Sequence, residues 1–244
     1  MSISLIAFSG VAAASSVTFA QFTDSGTQNF LLTNNTDGSQ TLSISSPVSF
    51  TYSNIPGLPY SLQGPLPAIF TLTANSNQSV GIVTINGSQY AYISGFVGSL
   101  QFTAQGSGYD GNTNLLSGTF KTQSVLIGVE GGQSANFSDS TSSTNTAEVN
   151  LTSNVVTMLP LQENFALSLS SIFDTQQHDS GFNVGGPGNT DVDNFQASVT
   201  GTFASDPAPI FSDESEPFDY VVVGLLSFLL VVIIRKKFRT SPSL

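Results

Sequence analysis

Apolar side chains recur at every second position in several stretches of the chain. Leu42, Ile44, Val48, Phe50 and Tyr52 occupy even positions, with Ser and Thr mostly between them. Leu100, Phe102 and Ala104 repeat the pattern, as do Phe165, Leu167 and Leu169, and then Phe195, Ala197, Val199 and Phe203. A period of two gives a strand one apolar and one polar face, which suits an antiparallel sheet with one side in water. Turn-forming clusters separate these runs at 34–39, 54–59, 105–112, 129–134 and 183–189, where Asn, Asp, Gly and Pro supply turn conformations. No stretch of the body carries a convincing helical period, and residues 138–147 are a polar, low-complexity loop. The pattern predicts an all-β domain over residues 15–205: about ten strands in a two-sheet antiparallel β-sandwich, jelly-roll-like on its length.

The pattern changes at both ends. Residues 218–234 read FDYVVVGLLSFLLVVII, followed at once by RKKFR. A helix of that length spans about 25 Å, enough for a thin bilayer. Arg235, Lys236, Lys237 and Arg239 then act as a membrane stop on the cytoplasmic side. These features predict a single-pass protein with one C-terminal transmembrane helix and a basic cytoplasmic tail, residues 235–244. Residues 206–217, DPAPIFSDESEP, predict an acidic, proline-rich tether. At the other end, residues 1–14 hold a short apolar stretch followed by small residues, which resembles a signal peptide without its positive n-region.

Composition supports a setting outside the cytoplasm. Charged residues make up only 9% of the chain, far below the roughly 25% of ordinary soluble domains. All sixteen acidic residues and a single basic one, Lys121, precede Arg235, so residues 1–234 carry −15 and the last ten +4. A body this acidic repels phosphate backbones and excludes nucleic acid as a partner. The absence of cysteine excludes disulfides and thiolate metal sites.

Glu216-Pro217, a hydrophobic segment and a basic cluster follow one another at the C-terminus. This order resembles the PEP-CTERM class of bacterial sorting signals, in the Glu-Pro-Phe variant of cyanobacterial tails. The resemblance covers about 30 residues, and Ser215 stands where the first Pro of the motif would be. It implies an exosortase-type processing enzyme as partner, a cell-envelope location, and a β-rich body associated with exopolysaccharide.

Candidate chemistry in the body is sparse. His178 is the one histidine, and no GxSxG elbow accompanies it, so a nucleophilic triad has little basis. Glu130, Glu148 and Glu163 are the scarce glutamates from which a glycosidase pair would have to come, with no Trp or Arg in the body to hold a sugar. No catalytic residue is assigned. No cofactor is assigned either; calcium is the ligand best suited to the oxygen-rich segments. Asp110, Asn112 and Asn114 supply ligands at alternate positions, and Asn189, Asp191 and Asp193 form a second set. The plain alternative for both is a turn in which Asp and Asn cap their own backbone. The sequence thus favours a non-catalytic exported surface or extracellular-matrix protein. The second reading is a carbohydrate-binding or adhesion module, for which Tyr90, Tyr92 and Phe96 on one strand face are the polysaccharide candidates. The third is a glycan hydrolase.

Overall fold

A computed structural model describes residues 16–24, 26, 28–140, 148–158, 162–175, 181–185 and 191–211. Among these residues thirteen strands form: β1 (Val17–Asp24), β2 (Phe30–Asn34), β3 (Gln40–Tyr52), β4 (Leu66–Ser76), β5 (Gly81–Ile85), β6 (Ser88–Ala104), β7 (Asn114–Val129), β8 (Ser134–Ser140), β9 (Val149–Thr152), β10 (Gln162–Asp174), β11 (Val184–Gly185), β12 (Asp191–Val192) and β13 (Phe195–Asp206). One 3-10 turn, Tyr60–Leu62, is the only helical element among them.

The all-β expectation stands, but the two-sheet sandwich is overturned. Following the ladder from β6 through β4, β3, β1, β13, β10, β8 and β7 leads back to β6, because β6 pairs with both β4 and β7. The eight strands close into an antiparallel barrel, and closure removes the free edges that a sandwich retains. Two shorter strands complete the wall. β2 continues the line of β1 between β13 and β3, with Leu32 opposite both Phe195 and Leu42. β9 takes Ser117–Phe120 of β7, and β8 takes Val125–Gly128.

Inward positions of the ring carry the apolar residues counted along the sequence. Phe22, Phe50, Phe70, Phe102 and Phe203 meet near one half of the lumen. Phe70 and Phe102 are stacked there, with centroids 4.5 Å apart and planes 9° from parallel. Phe96, Phe120, Phe137 and Phe165 form a second group, joined to the first through Phe165 and Phe203. The barrel is a packed core rather than a pore. Phe182 packs on Phe195, while Ile55, Leu62, Val155 and Val156 are buried beyond strands β3 and β9. Residues 207–211 also return to the barrel: Thr157 and Ile210 exchange backbone hydrogen bonds of 2.8 and 3.1 Å, and Phe211 packs edge-on to Tyr109.

Many outward positions of the ring are Ser or Thr: Thr41, Ser43 and Ser45 on β3, Thr71 and Thr73 on β4, and Thr200 and Thr202 on β13. This is the reverse of a membrane-spanning barrel, whose apolar belt faces outward around a polar lumen.

The single-pass membrane topology is likewise corrected. Among the described residues, no helix is long and apolar enough to cross a membrane. The signal-like residues 1–14, the sorting pair Glu216 and Pro217, the apolar run 218–234, and the stop residues Arg235, Lys236, Lys237 and Arg239 lie outside the described residues.

Candidate functional site

One continuous stretch of the barrel wall carries no charge at all. Residues 38–109 contain no Asp, Glu, Lys, Arg or His, and they build β3, β4, β5 and β6. This run is visible in the sequence, but its meaning depends on the fold, which makes it a continuous face of the wall.

β6 is the spine of that face, and a change of parity along it sorts its aromatic residues. In its first part the odd positions Ala91 and Ile93 are buried. The ladder with β7 then slips between Ser94 and Phe96 and again between Phe96 and Gly98, so Phe96, Leu100 and Phe102 point inward instead. Gly95 sits in the slip at φ +75, a conformation that suits glycine. At Gly98 a Cβ would lie 2.2 Å from the Thr73 carbonyl oxygen, so only glycine fits where β4 and β6 approach. The expected row of Tyr90, Tyr92 and Phe96 is therefore split. Tyr90 and Tyr92 are half-buried on the outer side, and Phe96 is in the core.

The outer side of β6 thus runs from Tyr90 and Tyr92 through Val97 to Ser99 and Gln101. Cross-strand pairing sets Tyr90 between Val83 and Val129, and Tyr92 between Gly81 and Ile127. The Tyr92 ring lies over Gly81, where a Cβ would approach its Cζ to 2.2 Å. Farther along, Thr71, Thr73, Ser99, Gln101, Ser117 and Thr119 line a shallow groove of about 460 Å³ across β4, β6 and β7. On its far side the hydroxyls of Ser117 and Thr152 are 2.9 Å apart. The face combines half-exposed phenol rings with a ladder of neutral donors and acceptors. Such a surface can stack on the apolar face of a sugar ring and exchange hydrogen bonds with its hydroxyls.

The calcium candidates are placed differently from one another. Asp110 and Gly111 are the two central residues of a hairpin turn, at φ +47 and +80, closed by mutual backbone hydrogen bonds between Tyr109 and Asn112. These are the dihedral signs of a type I′ Asp-Gly turn. Asn112 belongs to that closing pair, and Asn114 donates its Nδ2 to Ser117 Oγ at 3.1 Å. The segment is thus engaged as a turn and a strand start. In the second set, Asn189 lies outside the described residues. Asp191 is paired opposite Gly185, and the Asp193 amide donates to the Asn183 carbonyl at 2.9 Å. Asp193 is raised in pKa by burial and then by the charge of Asp174, a neighbour that sequence spacing could not reveal. Among the described residues, no group of three His, Asp or Glu side chains is arranged to hold a metal ion.

The three glutamates of the body differ in exposure. Glu130 is exposed and bridges to Phe182, whereas Glu148 and Glu163 are buried. Glu163 lies where β9 and β10 come side by side, and its Oε2 accepts the Leu151 amide hydrogen bond at 2.7 Å. Its burial raises its pKa to about 7, against the opposing effect of that hydrogen bond. The side chain thus fills a place in the wall that a backbone carbonyl would otherwise take. His178 lies outside the described residues. No family model, curated protein or solved structure matches the chain.

Proposed function

We propose that this protein is a non-catalytic, exported surface or matrix protein whose barrel adheres to neutral polysaccharide through its charge-free face. The observation that carries this reading is the coincidence, on the uncharged stretch of an acidic molecule, of Tyr90 and Tyr92 with the β4 and β6 side of the hydroxyl-lined groove. An anionic ligand is disfavoured by a chain of net charge −11. A neutral glycan meets no such repulsion at β4 and β6. The Glu216-Pro217 tail and the resemblance to sorting signals support export and exosortase-type processing.

Co-sedimentation with an insoluble neutral glucan, and in parallel with an anionic polysaccharide, tests the binding. The full chain is expected to pellet with the neutral polymer only. Tyr90→Ala and Tyr92→Ala together are expected to weaken retention about tenfold, the value of one or two lost stacking contacts. Their thermal unfolding should stay within a few degrees of the parent, since both rings lie outside the core. Retention unchanged by the double substitution, or equal retention on both polymers, contradicts the assignment.

A further inference from the structure

The barrel wall is closed, but one strand hangs outside the closure. β5 (Gly81–Ile85) pairs with β6 alone and ends the ladder. Its sequence is GIVTI, and Ile82, Val83 and Ile85 are 48, 38 and 47% exposed. Edge strands are usually protected by a charge, a proline or a bulge. Here none is present: residues 76–97 hold no charged side chain and no proline, and β5 pairs with β6 without a slip in register.

The hairpin turn fixes which backbone groups lie on the open edge. Ile85 and Ser88 close a two-residue turn of Asn86 and Gly87, at φ +51 and +85. The pair closing such a turn exchanges both hydrogen bonds, and the pattern alternates along the ladder. Gly81, Val83 and Ile85 therefore aim their amides and carbonyls at β6. Ile82 and Thr84 aim theirs outward.

We propose that β5 is a homodimerisation edge, pairing antiparallel with the β5 of a second copy about a two-fold axis through Val83. In that register Ile82 and the partner subunit's Thr84 exchange both backbone hydrogen bonds, and Thr84 does the same with the partner subunit's Ile82. Every outward group of the strand is then satisfied, and two exposed Val83 side chains meet across the axis. Charge selects the occupant. An acidic chain repels its own copies over most of its surface, and the 38–109 face is where two copies approach without that penalty. A two-fold axis normal to the sheet brings the same face of each subunit to the same side, so the two Tyr90 and Tyr92 surfaces become neighbours.

The absence of native cysteine makes the register directly readable. In a non-hydrogen-bonded antiparallel pair the Cα atoms are about 4.5 Å apart, within disulfide reach. Under mild oxidant the full-length Val83→Cys chain is expected to cross-link to a covalent dimer. Ile85→Cys, on the same face and opposite the partner's Gly81, is expected to remain uncross-linked. Sedimentation of the unmodified chain is expected to give a dimer, and Ile82→Lys a monomer. Cross-linking of both cysteine variants alike or of neither overturns the proposal, as does a monomeric parent or a dimeric Ile82→Lys chain. Should Ile82→Lys fail to fold, the two cysteine variants decide the register alone.

Discussion

Phe102→Ala is expected to lower the free energy of unfolding by about 3–5 kcal/mol, measured by urea titration, with Tm falling accordingly. Phe102 is fully buried and touches four rings at once. Phe70 stacks on it, Phe22 and Phe50 tilt against it with centroids 4.9 and 5.0 Å away, and Phe203 meets it edge-on at 5.4 Å. These partners come from β4, β1, β3 and β13, so the cavity left by truncation has walls on opposite sides of the barrel. Strands locked in a closed ladder cannot collapse into it. Thr71→Ala, one residue along β4 from Phe70 and on the outer face, is expected to change stability by no more than about 0.5 kcal/mol. Equal costs for the two substitutions would mean that the interior is not packed around Phe102.

A second large effect is expected on acid–base titration of the fold. Glu163 has a folded-state pKa of about 7 against an ordinary 4.5, because burial disfavours its charged form. Between these values the folded protein holds a proton that the unfolded chain has released. The part of the stability governed by Glu163 is therefore greatest below pH 4.5, falls as pH rises to about 7, and levels off above it. The contribution is on the order of 2 kcal/mol, allowing for partial solvent screening. Glu163→Gln keeps a side-chain oxygen to accept the Leu151 amide while removing the ionisation. The variant is expected to lose this component of the fall and to be the more stable protein at pH 8. Asp193 is also raised in pKa by burial and by Asp174, and its loss of stability with rising pH begins near its ordinary 3.8. That background is common to parent and variant, so the difference between the two proteins isolates Glu163. Identical pH profiles for the two would place its carboxyl in water rather than in the wall.

The strands themselves were legible because their side-chain period is strict where one face is buried. The even positions from Leu42 to Tyr52 point inward as the alternation requires. Closure was not legible. A barrel wall and a sandwich sheet both alternate one buried and one solvated side chain, and nothing in the period says that β6 finds β7 as well as β4. Parity also carries no memory across a bulge. Tyr92 and Phe96 share parity in the sequence, yet the slips around Gly95 put one outside and the other inside. The Asp110-Gly111 turn was legible as turn chemistry, which is the role it takes. The approach of Asp193 to Asp174 and the Glu163 contact with Leu151 depend on tertiary pairing alone. The uncharged run of residues 38–109 was in plain sight, but only the topology makes it one face.

The functional account rests on where a glycan touches the molecule. Backbone amide shifts recorded by NMR while a soluble neutral oligosaccharide is titrated into the full chain locate that contact residue by residue. The expected result is perturbation concentrated at Tyr90, Tyr92, Ser99 and Gln101 of β6, with Thr71 and Thr73 of β4. Perturbation confined to β10 and β13, or none at millimolar oligosaccharide, would contradict a binding face on the uncharged strands.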